Sequence, residues 1–312
     1  FPSAVNQLKN RYFLHILLFV LTFLSLTYRE FLYYGIYTLD WKGYANIFYS
    51  EWPYSVSLIL ILFGHEMGHY IPARYYGVRA TLPYFIPFPL GPIGTMGAVI
   101  QIKEPIPNKK ALFDIGIGGP MVSLVLSMLA WVIGISMSEL ITLDKSLNLE
   151  NFTIFGESLF TYYSNQWILG PFDSRLMDVN IHPLARAGWV GLLITAINLL
   201  PFGQLDGGHI IYAVFGEKYR NWIYWLFISF LFLAMIHFTW LLWGFIIYYL
   251  LKVEHPFIRD SEYGLGKFRK ILGYFMLVAL IFIFVPKPIM LGSELNQPTL
   301  LQNAFEFLIN IF

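Results

Sequence analysis

His65, Glu66 and His69 sit in LFGHEMGH, at the end of an apolar run that begins at Leu58. On a helix, residues four apart share a face, so the two imidazoles lie about one turn (~5.4 Å) apart along the axis. Two imidazoles at that spacing can ligate one metal ion, and the glutamate between them can act as a base. The pattern is short enough to occur by chance, and a single histidine is more often a hydrogen-bonded core residue than a ligand. The setting decides. An ionisable group inside an apolar helix costs about 2.5–3.5 kcal/mol even on lenient scales. Two histidines and a glutamate in one apolar turn are hard to satisfy without a cation. His65 and His69 are therefore expected as metal ligands and Glu66 as the catalytic base.

The chain has no cysteine, which excludes disulfides, thiolate ligands and a cysteine nucleophile. Any metal must be held by His, Asp or Glu. A catalytic zinc takes three protein ligands and keeps one open position. Asp206, in NLLPFGQLDGGH, is the expected third ligand. Pro201, Gly203, Gly207 and Gly208 break the helix there and free the side chain to turn to a partner. Taken alone, an Asp beside Gly is more often a cap or turn residue. Its predicted depth, matching that of the histidines, favours ligation.

The elements that must position these residues are read from hydropathy. Of 312 residues, 57% are hydrophobic, 19% aromatic and only 12% charged, and mean hydropathy is +0.60. Soluble domains are nearer a quarter charged, so the composition is that of a polytopic membrane protein. Six or seven apolar segments each approach the roughly 17–25 residues that cross a bilayer. They run at about 12–28, 52–71 (carrying HEMGH), 113–137 and 182–200, followed by the uncharged stretch 222–251 and a last span at about 271–285. The stretch 222–251 would be about 45 Å long as one helix, and is read as two spans bent near His237.

Between Thr81 and Ile102, TLPYFIPFPLGPIGTMGAVIQI carries four prolines and three glycines and cannot be a regular helix. It is expected to form a β-hairpin or edge strand that lines a polar cavity at membrane depth. The fold expected is thus all-α and polytopic, with about seven transmembrane helices (six to eight) and a small membrane-associated β-hairpin between the second and third. With the N-terminus inside, inner segments hold fourteen Lys and Arg and outer segments six, which obeys the positive-inside rule. HEMGH then lies at the cytoplasmic end of the second span. Residues 138–181, about forty, fall below the usual floor for an inserted domain. One membrane-embedded domain over 1–312 is expected, with a catalytic core at about 52–216, extra helices at 217–287 and an amphipathic tail at 288–312.

HEMGH in an apolar helix, followed by LDG preceded by Asn198 and Pro201, resembles the site-2 protease family of intramembrane zinc metalloproteases. GGP at Gly118–Pro120, the GTMGA stretch and HPLARAGW ahead of NLLP resemble its chloroplast ethylene-dependent gravitropism branch and microbial relatives. The resemblance covers about 58–216. It implies one Zn2+ held by His65, His69 and Asp206, with Glu66 taking a proton from water as it attacks the scissile carbonyl and returning it to the leaving amine. Asn198 matches a family asparagine linked to substrate handling. It could donate to substrate backbone or oxyanion, or equally make an interhelical hydrogen bond. Gly94, Thr95 and Gly97, in the hairpin, are further candidates for substrate or oxyanion contact, and AVIQI is the edge on which an unwound substrate could add a strand.

The implied partner is a single-span membrane protein already cut outside; the lipid bilayer is the second partner, and no nucleic acid is expected. The implied location is the cell membrane, with a cytoplasmic N-terminus. A CAAX-type metalloprotease would need a downstream glutamate ligand, but Glu217, Glu254 and Glu262 lie in polar loops. A metal transporter or sensor would show repeated halves and midplane carboxylates, and no internal repeat is present. His209 reads as an interface residue, a support to the site or an alternative ligand; His182 and His255 read as interfacial turns, His15 and His237 as interhelical hydrogen bonds.

Overall fold

Asp40 starts the helix that carries the histidines. Its side chain accepts a hydrogen bond of 2.8 Å from Gly43 N, capping a 35-residue helix, α2 (Trp41–Tyr75). The sequence placed this start at about Trp52. The Asp40 cap begins the helix eleven residues earlier, and Pro53 and Pro72 are accommodated inside it. The computed structural model describes residues 4–29, 40–142, 153–172, 177–256 and 264–291. The tail expected at 288–312 lies outside the described residues beyond Leu291, as does Glu262.

Contacts divide the chain into two compact units. The first is built from Phe1–Ile106, Gly118–Glu139 and Val179–Thr195. It holds α1 (Ala4–Thr27), α2, the strands β1 (Tyr84–Phe88) and β2 (Gly94–Val99), most of α3 (Lys109–Ser136) and most of α5 (Pro183–Asn198). β1 and β2 pair antiparallel, Tyr84 opposite Val99 and Phe88 opposite Gly94, with the register shifting between Phe85 and Pro87. A proline has no N–H for the ladder, and an irregularity is where one is tolerated. The pair is pinned to α1: the Ser25 hydroxyl donates to Gly94 O at 2.6 Å, and His15 Nδ1 donates to Pro83 O at 2.9 Å with its ring stacked on Tyr84. His15 thus bonds a strand end rather than a helix. α2 adds a third tie, from Tyr54 OH to Ile93 O at 2.7 Å.

α3 and α5 approach along small residues. A Cβ on Gly134 would come within 2.1 Å of Ala185 N, one on Gly188 within 2.4 Å of Trp131 N, and one on Gly191 within 2.2 Å of Ser127 Oγ. As numbers fall on α3 they rise on α5, so the two helices run antiparallel. This backbone-to-backbone packing is what small-residue seams permit. Elsewhere in this unit, Glu51 on α2 accepts hydrogen bonds from both Arg29 and Arg186, and the two guanidiniums lie over the Tyr54 ring at 4.2 and 5.1 Å.

The second unit comprises Pro107–Ile117, Leu140–Asp178 and Ala196–Phe312. α5 stops at Asn198, and the chain turns before α6 (Asp206–Phe215). The turn needs glycine: Gly203 has φ +54 and packs on the carbonyls of Leu251 and Lys252. A 3-10 turn over Gly216–Asn221 leads to α7 (Ile223–Leu231). The chain leaves α-helix there and re-enters it in α8 (Thr239–Ile246), so 222–251 is two helices bent at His237. They face one another through Leu231 against Gly244, Phe230 against Trp240 and Phe227 against Tyr248. α9 (Lys267–Ile283) brings Arg269 to a two-pronged ion pair with Asp114, 2.8 Å on each arm.

The fold is mostly helical, and the hairpin is not its sole β element. β3 (Glu139–Thr142) pairs with β5 (Met177–Asn180), and β4 (Thr153–Phe155) pairs with β6 (Ile289–Leu291), while α4 (Leu159–Leu169) lies between β4 and β5 in the chain. The sequence missed these pairs because strands of three or four residues carry too little alternation to register. Among the described residues two helices, α2 and α3, are long and apolar enough to cross a membrane; 12–27, 223–235 and 239–251 are shorter apolar helices.

Candidate metal centre

One turn of α2 carries His65 and His69 inward, with 4% and 8% of their surface exposed. Their Nε2 atoms face each other at 3.1 Å, the rings edge to face. Two such nitrogens either share one proton or converge on one cation. Asp206 supplies a third donor: one ligand atom from each of the three residues lies within 4.8 Å of the others. Donors around a tetrahedral zinc at about 2.05 Å lie roughly 3.3 Å apart. Two imidazoles and a carboxylate suit zinc. Among the described residues this is the one group of three or more His, Asp or Glu donors arranged to hold a metal.

Asp206 is the first residue of α6, and the cap position is Leu205, which makes no side-chain capping bond. Room for the imidazoles comes from α3. Gly68 and Gly118 touch backbone to backbone, where a Cβ on Gly118 would sit 2.0 Å from Gly68 O. A Cβ on Gly119 would lie 2.1 Å from His69 Nε2. The GGP motif thus lets the two helices touch and leaves room for the His69 ring. His65 is tied through Nδ1 to Ser123 Oγ at 2.9 Å.

Glu66 is 6% exposed, and its Oε2 accepts a hydrogen bond of 2.7 Å from Ile100 N, the residue after β2. The stem of the hairpin extends past that point, with Thr81 N donating to Gln101 O and Lys103 N to Arg79 O. One carboxylate oxygen is therefore fixed by a backbone amide whose own position is fixed by paired strands. The sequence offered no sign of this, since any non-proline residue supplies the same N–H.

The weaker candidates are placed differently. Thr95 is buried and occupied within the hairpin, donating to Ile86 O at 2.7 Å and accepting from Gly97 N at 3.0 Å. Gly94 lies against the α1 backbone at Ser25 and Leu26. Gly97 has open space where a side chain would stand. Asn198 is the last residue of α5.

Within the second unit, His209 and His255 form a pair the sequence did not anticipate. His209 Nδ1 lies 2.7 Å from His255 Nε2, and His255 Nδ1 donates to Pro256 O at 2.6 Å. His255 is 3% exposed and stacks on Tyr212, so it is not the interfacial turn residue expected. Burial holds its proton affinity below the ordinary histidine range, against the bond to Pro256 O, which acts the other way. Gly116 leaves the room for His209, since a Cβ there would lie 2.6 Å from His209 Cβ.

Residues 53–236, more than half of the chain, match Peptidase family M50. The chain is 36% identical over 169 residues to the "Probable zinc metalloprotease EGY1, chloroplastic" of Oryza sativa subsp. japonica, covering 54% of this chain and 29% of that protein. It is 34% identical over 166 residues to the protein of the same name from Arabidopsis thaliana, covering 53% and 30%. With the "Probable zinc metalloprotease EGY2, chloroplastic" of Arabidopsis thaliana the figures are 29% over 170 residues, 53% and 29%. The matched region thus spans less than a third of these curated relatives.

Proposed function

The chain belongs to peptidase family M50, and from that premise we propose that it is an intramembrane zinc metalloprotease. It hydrolyses a peptide bond within or near the membrane-spanning segment of a membrane-anchored protein, a single-span substrate already cut outside. The observation that carries this reading is that buried His65 and His69 and half-buried Asp206 each offer a ligand atom within 4.8 Å of the others, with Glu66, also buried, in the same turn of α2 as the histidines.

His65 and His69 would hold the zinc through ring nitrogens and Asp206 through a carboxylate oxygen. When bound, the zinc supplies Lewis acidity, which polarises the scissile carbonyl and acidifies water. Glu66, steadied by Ile100 N–H, takes the proton from the attacking water and delivers it to the leaving amine. Asn198 donates to the oxyanion or to substrate backbone. Substrate lies along β2, where Gly97 presents bare backbone, and Gly94 and Thr95 keep that strand in place. The core of this machinery is 52–216.

The chain crosses the membrane about seven times, with the β1–β2 pair held at membrane depth and the N-terminus and active site on the cytoplasmic side of the cell membrane. The outward faces of the two long helices support a lipid setting. Val125, Leu129 and Ile133 follow one another at every fourth position of α3, and Leu60 and Ile71 stand out from α2, all more than half exposed. Apolar stripes of that extent mark a lipid or protein contact.

The test is cleavage of a tagged single-span reporter in liposomes, with bound zinc assayed in parallel. Glu66→Gln should lose about 10²–10⁴ in rate while keeping its zinc. Cleavage by Glu66→Gln at the wild-type rate would sink the mechanism.

A further inference from the structure

His65 is not held by a lone hydroxyl but by a relay of two. Its Nδ1 lies 2.9 Å from Ser123 Oγ, Ser123 Oγ lies 2.8 Å from Thr195 Oγ1, and Thr195 Oγ1 lies 2.7 Å from Gly191 O. The far end sets the direction. A carbonyl only accepts, so a 2.7 Å contact with it spends the single hydrogen of Thr195. The Thr195 oxygen then accepts from Ser123. The Pro120 carbonyl, 3.3 Å from Ser123 Oγ, competes for the same hydrogen and likewise gives none back. Ser123 has nothing left to donate to the imidazole, so it accepts, and Nδ1 of His65 carries the proton. Nε2 is then the bare nitrogen, and it is Nε2 that faces His69.

We infer that Ser123 and Thr195 are positioning residues for the metal centre, fixing the tautomer and rotation of His65 so that its Nε2 lone pair is presented to zinc. Ser123 is 2% exposed and Thr195 is fully buried, so a lost partner is not replaced by water at low cost. The relay is also the end rung of the α3–α5 seam. Gly134 meets Ala185, Trp131 meets Gly188, Ser127 meets Gly191, and the next pair in register is Ser123 with Thr195. The small residues that bring these helices into backbone contact bring the two hydroxyls within hydrogen-bonding distance. Partners of this kind orient ligating imidazoles and raise their basicity, and losing one typically costs about tenfold to a hundredfold in metal affinity.

The inference rests on the zinc reading of the site, and the experiment separates the two. The full chain in detergent is titrated with Zn2+ against a chromogenic chelator, and with Co2+ while its visible d–d bands are recorded. Ser123→Ala should bind zinc about ten- to a hundredfold more weakly than wild type and show altered cobalt bands. Thr195→Val, which keeps the shape but removes the acceptor, should weaken binding in the same direction, and Thr195→Ser should restore it. Zinc bound equally by wild type and Ser123→Ala, with identical cobalt bands, overturns the relay and leaves the zinc site standing. If Ser123→Ala does not fold, wild-type affinity in Thr195→Val overturns it instead. A wild-type chain that binds no zinc overturns both.

Discussion

At the scale of single residues, the site is specified by chemistry in some places and by the absence of atoms in others. The candidate residues His65, Glu66, His69 and Asp206 stood out because their types are costly in apolar surroundings and the spacing of the two histidines fits a metal. Gly119 was legible only as part of the GGP motif. Its duty appears once the His69 ring is placed, since the missing Cβ would stand 2.1 Å from Nε2. Gly119→Ala should therefore push the imidazole off its ligating position, weakening zinc binding by about tenfold or more with helicity unchanged by circular dichroism. Wild-type zinc affinity in that variant would mean that the ring has room the geometry does not grant. Ser123 was invisible for the opposite reason: a serine in an apolar helix ordinarily bonds its own backbone. Which serine reaches a histidine depends on the register of two helices distant in sequence.

At the scale of elements, α2 carries the candidate residues His65, Glu66 and His69, and the β1–β2 pair holds one of them, through the Ile100 N–H on Glu66. Proline and glycine content predicted non-helical backbone at Thr81–Ile102, and the chain pairs there as two antiparallel strands. The sequence could not foretell which amide would meet Glu66, because backbone donors are the same at every position except proline. That exception provides the test. Ile100→Pro deletes the N–H that Glu66 accepts at 2.7 Å, while the residue before it, Val99, is already in extended strand as a proline requires. The carboxylate then loses its fixed rotation. A displacement of about 1 Å at a reacting group costs roughly a hundredfold in rate, so kcat should fall by about that factor with zinc still bound. Ile100→Ala, which keeps the amide, should cleave as wild type does. If proline at 100 leaves kcat unchanged, the hairpin does not aim Glu66.

For the molecule as a whole, hydropathy exposed the long apolar helices and the bend at His237, because both are written in local composition. It did not expose contacts that close over long sequence distances. The pair His209–His255 spans 46 residues, and from sequence each member looked like a histidine near water. Its burial makes the stability of the fold depend on pH. Desolvation lowers the proton affinity of folded His255 from the ordinary value of 6.5, aided by the charge of Arg220 and opposed by the Pro256 carbonyl and Glu217. Below pH 6.5 the unfolded chain takes up a proton that the folded chain resists, so unfolding gains as acid is added. The contribution of His255 is complete above about pH 6.5 and drains away as pH falls through that value towards the lower folded one. His255→Gln cannot take up that proton. Its Tm should lie below wild type at pH 7.5, where the stacking on Tyr212 is lost, yet fall less between pH 7.5 and 5.5. Thermal unfolding of both proteins in one detergent, at fixed zinc and salt, reads the two slopes. Equal slopes would show that His255 exchanges its proton as freely in the fold as in water, and that the buried pair is not the source of acid sensitivity.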